Sequence, residues 1–475
     1  AMLTKSLPMW RDNKNSLNFL GIRCMMGIVA NRYFDTPYKT FNYTADFNAD
    51  PYLIGYYTLG MYMLGLTKWM LDDMQGKDYK KIVFMARDGY LPIRCYDIMK
   101  KLYKNVPESD YLYISRKALV PITIQTKLDL YKLSEVINVT NHSPKDILKY
   151  IKDCITIKDK KAFEEICKQN KIKMDEDFKI IENFDKFISL VIDNLYDEEK
   201  QTRNLAKYKE YFNNIYQEHS ATFDIGYSAR PEMFLSNLLK KPIDTYFCNI
   251  NHSEALRHAQ IGGFKLKTFF DAKPTTTGHA YEMMLSALAP SCIGYDVEGE
   301  EVKPIFEKYE NTYTVEFAMK TMQEAAEDFV RDVVDIFGED IDVIYYQNYY
   351  ISLPFMAYLN SSKEIDKMPF SSVIFEDNVG IGEPLKMVTN WTQDLSIRNQ
   401  ATMDNLFGID NDITEFLGDN ELIYNSTVDL KDRNKFVRLI YYTMFDRKTL
   451  SRRIGDICYK NKVLWAIYSK LKYKK

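Results

Sequence analysis

The chain has 475 residues, of which 46% are apolar and 27% charged, so it has enough apolar side chains to form more than one core. This composition excludes a disordered chain, and 19 Gly with 15 Pro exclude a collagen-like one. A net charge of −3 argues against nucleic acid as a partner. We interpret the 36 tyrosines mainly as buried rings with hydroxyls at the edge of a core, rather than as a sugar-binding surface.

The charge is distributed unevenly. Residues 431–475 carry a net charge of +11, so the rest of the chain carries −14. Aromatic and aliphatic residues alternate with the basic ones in this segment. Two interpretations stay open: a docked helix with a solvated basic face, or peripheral contact with an anionic membrane surface.

The seven cysteines are scattered and contain no C-x-x-C pair, so we expect neither a disulfide framework nor a zinc site. A reducing, cytoplasmic location is therefore predicted, without a secretory signal. The histidines show no metal-ligand spacing and support no Ser-His-Asp triad. They are His142, His219, His252, His258 and His279.

The N-terminal part, residues 1–75, is predicted to be helical. Periodicity is weak over Asn15–Asn48. The run Pro51–Thr67 is uncharged but shorter than the roughly 20 apolar residues that a membrane-spanning helix needs. We therefore predict a buried helix that continues to Met74.

The next segments alternate between strand and helix patterns. Lys81–Ala86 reads as a buried strand, Leu91–Tyr103 as a helix with proline in its first turn, and Tyr111–Ile114 as a second strand. A strand–helix–strand unit implies a parallel sheet.

A second unit of this kind follows a long interruption. Residues 125–218 are charged and helically periodic, which predicts a helical insertion. The strand pattern returns at Ala221–Phe223, followed by a helix at Pro231–Leu239 and a strand at Ile243–Ile250. We predict an α/β core of residues 76–124 and 219–304, and a mainly helical C-terminal region over 305–475.

The first two strands end in polar loops that suit an anion. Arg87, Asp88 and Gly89 follow the first strand, where the glycine allows close backbone approach and the arginine offers donors to phosphate oxygens. Ser115, Arg116 and Lys117 follow the second. For each loop the alternative is an ordinary solvated or salt-bridged turn.

The third loop begins with Asp224, a carboxylate at the end of an apolar strand, which needs a partner such as ribose hydroxyls or a hydrated metal ion. Small and basic residues follow and form a plausible phosphate-binding loop before the next helix. They are Gly226, Tyr227, Ser228, Ala229 and Arg230. The alternative for Asp224 is a helix cap.

The order of these loops resembles the type I phosphoribosyltransferase pattern. The resemblance implies that the first two loops bind pyrophosphate and that the third binds the ribose hydroxyls and the 5-phosphate. Three departures stand out: Ile225 occupies the position of a second acidic residue, GYSAR replaces a Thr-Gly-rich loop, and the insertion is far longer than the usual hairpin.

A second resemblance covers about residues 50–300. The blocks KIVFMARDGYL, YLYISRKAL and FDIGYSARPEMFLSNLL, among others, resemble a bacterial polysaccharide-biosynthesis domain usually fused to haloacid-dehalogenase-like phosphatases. It implies transfer of ribofuranose 5-phosphate from 5-phosphoribosyl-1-diphosphate with Mg²⁺ to a glycan or lipid-linked glycan acceptor. It further implies action in the cytoplasm, at the inner face of the membrane, and a separate phosphatase.

Two other functions stay open. Ile225 favours a non-catalytic phosphosugar-binding module, and a sugar-nucleotide-dependent glycosyltransferase is the third reading. Asp410-Asn411-Asp412 has the spacing of an Asp-x-Asp motif, but its context predicts an ordinary loop. Glu282 is a candidate acceptor-side base, although a structural glutamate is favoured. Trp391 and Asp377–Pro384 are weaker acceptor-side candidates.

Overall fold

The computed structural model describes residues 17–34, 44–250, 252–270, 278–299, 301–308 and 313–370, with four short strands beyond them. The chain divides into two compact units, Ala1–Thr392 with Phe416–Leu422, and Gln393–Glu415 with Ile423–Lys475. The helices and strands up to residue 386 belong to the first unit. The basic segment 431–475, Trp391, Asp377–Pro384 and Asp410-Asn411-Asp412 lie outside the described residues.

A five-stranded sheet forms the centre of the first unit, and its strand order is β2-β1-β3-β4-β5. All four neighbouring pairs are parallel. The predicted α/β class and both strand–helix–strand units are therefore confirmed. The strands are β1 Lys81–Met85, β2 Glu108–Leu112, β3 Ser220–Asp224, β4 Asp244–Phe247 and β5 Leu266–Thr268.

Thirteen helices are described in these parts of the chain. They are α1 Leu17–Phe34, α2 (Pro51–Leu53, a π-helical Ile54–Leu59, and Gly60–Met74), α3 Tyr90–Met99, α4 Arg116–Thr123, α5 Pro144–Tyr150, α6 Lys160–Gln169, α7 Ile181–Asn194, α8 Glu198–Ile215, α9 Arg230–Leu239, α10 His252–Gly262, α11 Gly278–Leu285, α12 Tyr313–Phe337 and α13 Asn348–Ser361. Short 3₁₀ turns are Lys100–Leu102, Lys127–Glu135, Val139–Asn141, Lys152–Cys154, Gly338–Val343 and Glu364–Phe370.

The remaining strands are short. An antiparallel pair, β6 Cys292–Asp296 and β7 Lys303–Phe306, lies beside α4. Beyond residue 370 the described pieces are β8 Ile374–Phe375, β9 Leu385–Lys386, β10 Glu415–Leu417 and β11 Glu421–Ile423. In the described residues 313–370 of the same C-terminal region the chain is mainly helical.

Alternating side chains of the strands pack into two different cores, which makes three layers. Ile82 and Phe84 of β1 face a large core shared with α2, α12 and α13, whereas Val83 and Met85 face a second core shared with α4, α8 and α9. The described helices of the N-terminal and C-terminal regions thus pack into one layer.

The uncharged part of α2 is buried without interruption from Leu53 to Thr67, as its composition predicted. It begins where the Asp50 carboxylate accepts from the amides of Tyr52 and Leu53, with Pro51 in the first turn. None of the helices in the described part of the chain is both long and apolar enough to span a membrane.

Eleven of the twelve largest fully buried side chains in the described residues are tyrosines, which confirms that many of these rings belong to the core. The six cysteines within the described ranges are free thiols. The segment predicted as a helical insertion forms α5 to α8 with short 3₁₀ turns. It has an apolar core of its own, which includes Phe184, Phe187 and Ile188.

Candidate functional site

The strand order identifies a specific place on the sheet for a ligand. From β1 the chain moves to β2 on one side, and later returns to β3 on the other side of β1. In an open parallel sheet, such a reversal opens a crevice between the carboxyl ends of the two strands. Asp88 follows β1 and Asp224 ends β3, so both predicted carboxylates lie at this crevice.

The loop after β1 is held tightly against its own strand. The amide of Gly89 donates to the Met85 carbonyl at 2.7 Å. A Cβ atom at position 89 would lie 2.8 Å from that oxygen and from Cβ of Phe84, so only glycine fits without displacement. The loop leaves Arg87 and Asp88 half-buried at the crevice.

The loop after β2 contributes one structural side chain and one cation. Ser115 caps α4, since its Oγ accepts from the Ala118 amide at 3.1 Å and donates to the Cys292 carbonyl at 2.5 Å. Arg116 is exposed, and its charge opposes the rise that burial causes in the pKa of Asp88. Lys117 is half-buried in the first turn of α4.

The loop after β3 is shaped by backbone constraints. Gly226 has φ of +141°, and a side chain there would overlap the Asn249 carbonyl. Ala229 adopts the left-handed conformation directly before α9. Tyr227 and Ser228 are half-buried between them.

Two residues from α10 hold this third loop. The ring of His258 lies 2.6 Å from the Ser228 carbonyl oxygen through Nδ1. Arg230 pairs with Glu254 at 2.5 Å, so its guanidinium is already neutralised in part. Sequence reasoning had assigned no role to His258, because its partner is a backbone atom 30 residues away.

The carboxyl groups at the crevice influence one another. Burial raises the pKa of Asp224 well above its usual range, and the nearby charges of Glu232 and Asp88 raise it further. Burial also raises the pKa of Asp88, although the Ser286 hydroxyl and the two arginines act in the opposite direction. Such a group of carboxyls favours a cationic or proton-bearing partner.

Glu232 was missed by sequence reasoning. It lies in the first turn of α9, fully buried, and neither of its carboxylate oxygens has a hydrogen-bond partner. Burial raises its pKa to about 7. The signal was present in the sequence: Glu232 shares a helix face with Leu235, three residues further on.

Further buried polar atoms without partners lie between β3 and α9. They are the hydroxyls of Tyr216, Ser220 and Ser236. Ser220 shares one face of β3 with Asp224, and Ser236 lies one helical turn beyond Glu232. We call these three residues with Glu232 the polar strip. It extends from the crevice towards the opposite edge of the sheet.

A segment far along the chain completes the crevice. Ser286 donates a hydrogen bond to the Asp88 carboxylate, and the amide of Ala287 donates to the Arg87 carbonyl at 2.9 Å. Burial raises the pKa of the Tyr227 hydroxyl, and the nearby carboxylate of Glu282 raises it further. Within the described residues, no three side chains of the usual metal-binding types converge.

Comparison of the sequence with protein-family models finds no match, and comparison with curated proteins finds no significant relative.

Proposed function

We propose that this chain is a phosphoribosyltransferase that moves ribofuranose 5-phosphate from 5-phosphoribosyl-1-diphosphate to a glycan acceptor, with release of pyrophosphate. The observation that carries the proposal is the crevice between β1 and β3, which is flanked by the loops at Arg87–Gly89 and Asp224–Arg230. The loop order resembles the type I phosphoribosyltransferase pattern, and this supports the specific donor.

Each loop has a part in the proposed reaction. Arg87 and Arg116 would bind the pyrophosphate and offset its growing charge as the bond to the anomeric carbon breaks. Asp224 would accept hydrogen bonds from the ribose hydroxyls. The backbone of residues 226–229, with the start of α9, would bind the 5-phosphate. The acceptor oxygen then forms the new bond to the anomeric carbon and loses its proton.

Asp88 suits a role next to Mg²⁺. Its carboxylate is a hard oxygen donor, and its raised pKa is consistent with a site that favours a cation. When bound, Mg²⁺ would neutralise charge on the leaving pyrophosphate. Asp88 would hold the ion together with oxygens of the donor.

The acceptor, the location and the partners follow from the same proposal. The acceptor would be a sugar of a bacterial surface glycan, free or lipid-linked, in the cytoplasm at the inner face of the membrane. Transfer of a phosphorylated ribose requires a phosphatase to remove the 5-phosphate, and we assign that step to a separate protein.

The test is calorimetric titration of 5-phosphoribosyl-1-diphosphate with Mg²⁺ into the wild type, Asp224→Asn and Asp78→Asn. Asp78 precedes β1 at the opposite edge of the sheet and is 66% exposed, so its variant is the matched control. We expect binding to the wild type and the control, and loss in Asp224→Asn. A wild type that does not bind would refute the donor.

Turnover separates the remaining alternatives. Binding without pyrophosphate release, over a panel of glycan acceptors, would favour the non-catalytic module. Ile225 supports the non-catalytic alternative, because its side chain is buried in the large core and offers no polar group to a ligand. Binding of nucleotide sugars instead would favour an ordinary glycosyltransferase.

A further inference from the structure

The loop after β3 is tied to α10 by two side chains, one on each side of Ala229. The His258 ring is buried, and its Nδ1 lies 2.6 Å from the Ser228 carbonyl oxygen. The Arg230 guanidinium lies 2.5 Å from the Glu254 carboxylate. Glu254 and His258 are four positions apart, so they lie on one face of α10. A single helical face therefore holds both residues that flank Ala229.

Apolar packing fixes α10 against this loop and against the start of α9. Ala229 and Met233 are buried in one apolar cluster with Ala255 and Ala259 of α10. The amide of Met233 donates to the Ala229 carbonyl at 3.2 Å, which closes the first turn of α9. Because α10 is packed in this way, it forms a rigid base from which the two side chains reach the loop.

The partners of His258 determine which ring nitrogen carries the proton. A carbonyl oxygen only accepts hydrogen bonds, so Nδ1 must be the donor to Ser228. An arginine only donates, and Arg257 Nη2 lies 3.4 Å from Nε2, so Nε2 is the acceptor. The ring is therefore neutral with its proton on Nδ1, and the bond that the other nitrogen makes favours this tautomer.

The bond from His258 also sets the direction of the next backbone amide. In a trans peptide unit, such as that between Ser228 and Ala229, the carbonyl and the N–H point in opposite directions. The Ser228 carbonyl points to α10, so the Ala229 N–H points away from α10. Within the described residues, no protein acceptor is found for the amides of Ser228 and Ala229. Two neighbouring backbone donors of this kind suit an anion.

We propose that His258 is a positioning residue, which holds the Ser228 carbonyl so that the Ala229 amide stays directed at the 5-phosphate of the donor. This role rests on the function proposed above, in which this loop binds that phosphate. Glu254 supports it by holding Arg230 on the other side of Ala229. Because the Arg230 guanidinium is already paired, the backbone amides are the main donors to the phosphate.

The primary experiment is calorimetric titration with the two halves of the donor, ribose 5-phosphate and pyrophosphate with Mg²⁺. The variant is His258→Phe, which keeps a planar ring but cannot donate a hydrogen bond. Losing the bond that orients a donor to a charged group should weaken the binding of ribose 5-phosphate about tenfold. Pyrophosphate should bind as it does to the wild type, because the proposed function assigns it to the loops after β1 and β2.

Two further variants are controls. His258→Asn places an amide nitrogen near the position of Nδ1 and should restore most of the affinity for ribose 5-phosphate. His142→Phe removes an equivalent bond in the insertion, where Nδ1 of His142 lies 2.8 Å from the Asn138 carbonyl oxygen. That variant should leave the affinities for both halves of the donor unchanged.

Hydrogen–deuterium exchange tests the positioning role without any ligand. The Met233 amide is bonded to the Ala229 carbonyl, so its exchange rate reports how firmly the loop is held. We expect His258→Phe to raise the exchange rate at Met233 about fivefold. His258→Asn and His142→Phe should keep it close to that of the wild type.

The outcomes separate this proposal from the proposed function. If His258→Phe binds ribose 5-phosphate as tightly as the wild type does, or loses both halves of the donor equally, the positioning role is wrong, even where the wild type turns the donor over. If ribose 5-phosphate alone binds more weakly and exchange at Met233 rises, but the wild type releases no pyrophosphate from 5-phosphoribosyl-1-diphosphate, the positioning role holds and the transferase function fails. A wild type that binds neither half would overturn both.

Discussion

Replacing Glu232 with Gln tests whether the buried Glu232 carboxyl keeps its proton in the folded protein. In the native chain this carboxyl is fully buried and lacks a hydrogen-bond partner, so its charged form is disfavoured. Gln has nearly the same shape and never ionises. The variant should therefore differ from the wild type mainly at the pH values where Glu232 would be charged.

The pKa shift of Glu232 determines both the direction and the size of the expected change in stability. The pKa of Glu232 rises from 4.5 to about 7 on folding. Between these values the native state keeps a proton that the unfolded state has lost, so the stability of the wild type falls as pH rises. Each unit of pKa shift corresponds to about 1.4 kcal/mol, so the free energy of unfolding of the wild type should fall by about 3 kcal/mol relative to that of Glu232→Gln. This fall should be complete slightly above pH 7, where the folded protein has also lost the proton.

The assay is urea unfolding of both proteins, followed by circular dichroism from about pH 5 to about pH 8. Glu327→Gln is the control, because Glu327 is just as buried but is paired with the guanidinium groups of Arg94 and Arg331. That variant should be less stable than the wild type at neutral pH. A difference between wild type and Glu232→Gln that stays constant over this pH range would refute the argument.

Three other substitutions have directional outcomes. Gly226→Ala should abolish donor binding in calorimetry and lower the free energy of unfolding by several kcal/mol at most. The reason is that φ of +141° is unfavourable for alanine, and that its methyl group would overlap the Asn249 carbonyl. Ser115→Ala should lower the free energy of unfolding by about 1 kcal/mol through loss of the α4 cap. Glu327→Ala should lower it by about 2 kcal/mol, because two arginines lose a charged partner; an unchanged urea midpoint in either of the last two would contradict these contacts.

Much of the sheet could be predicted from local patterns. Short apolar runs bounded by polar turns identified β1 and β3, and proline in the first turn identified the helix after β3. β5 was not singled out because only three residues pair in it, which leaves no periodicity to detect. The predicted start of β2 was also wrong: the strand begins at Glu108, in a polar stretch that is paired along one edge only.

The candidate site was predictable only where a strand end carried it. Arg87, Asp88 and Asp224 follow apolar strands, so chain position alone brought them together. Ser286 lies 198 residues from Asp88, and no local pattern indicates that pair. Ser115 was placed in the site from its position, yet its hydroxyl is used to cap a helix.

The insertion between β2 and β3 has a consequence for the order in which the chain acquires its structure. The Thr222 hydroxyl donates to the Val83 carbonyl 139 residues earlier, so the central strand pair closes a very long loop. Loop-closure entropy grows only slowly with length, but contacts this distant in sequence slow the search for the native pairing. Because the intervening helices have their own apolar core, we expect them to fold first, which would shorten the effective loop before the sheet assembles.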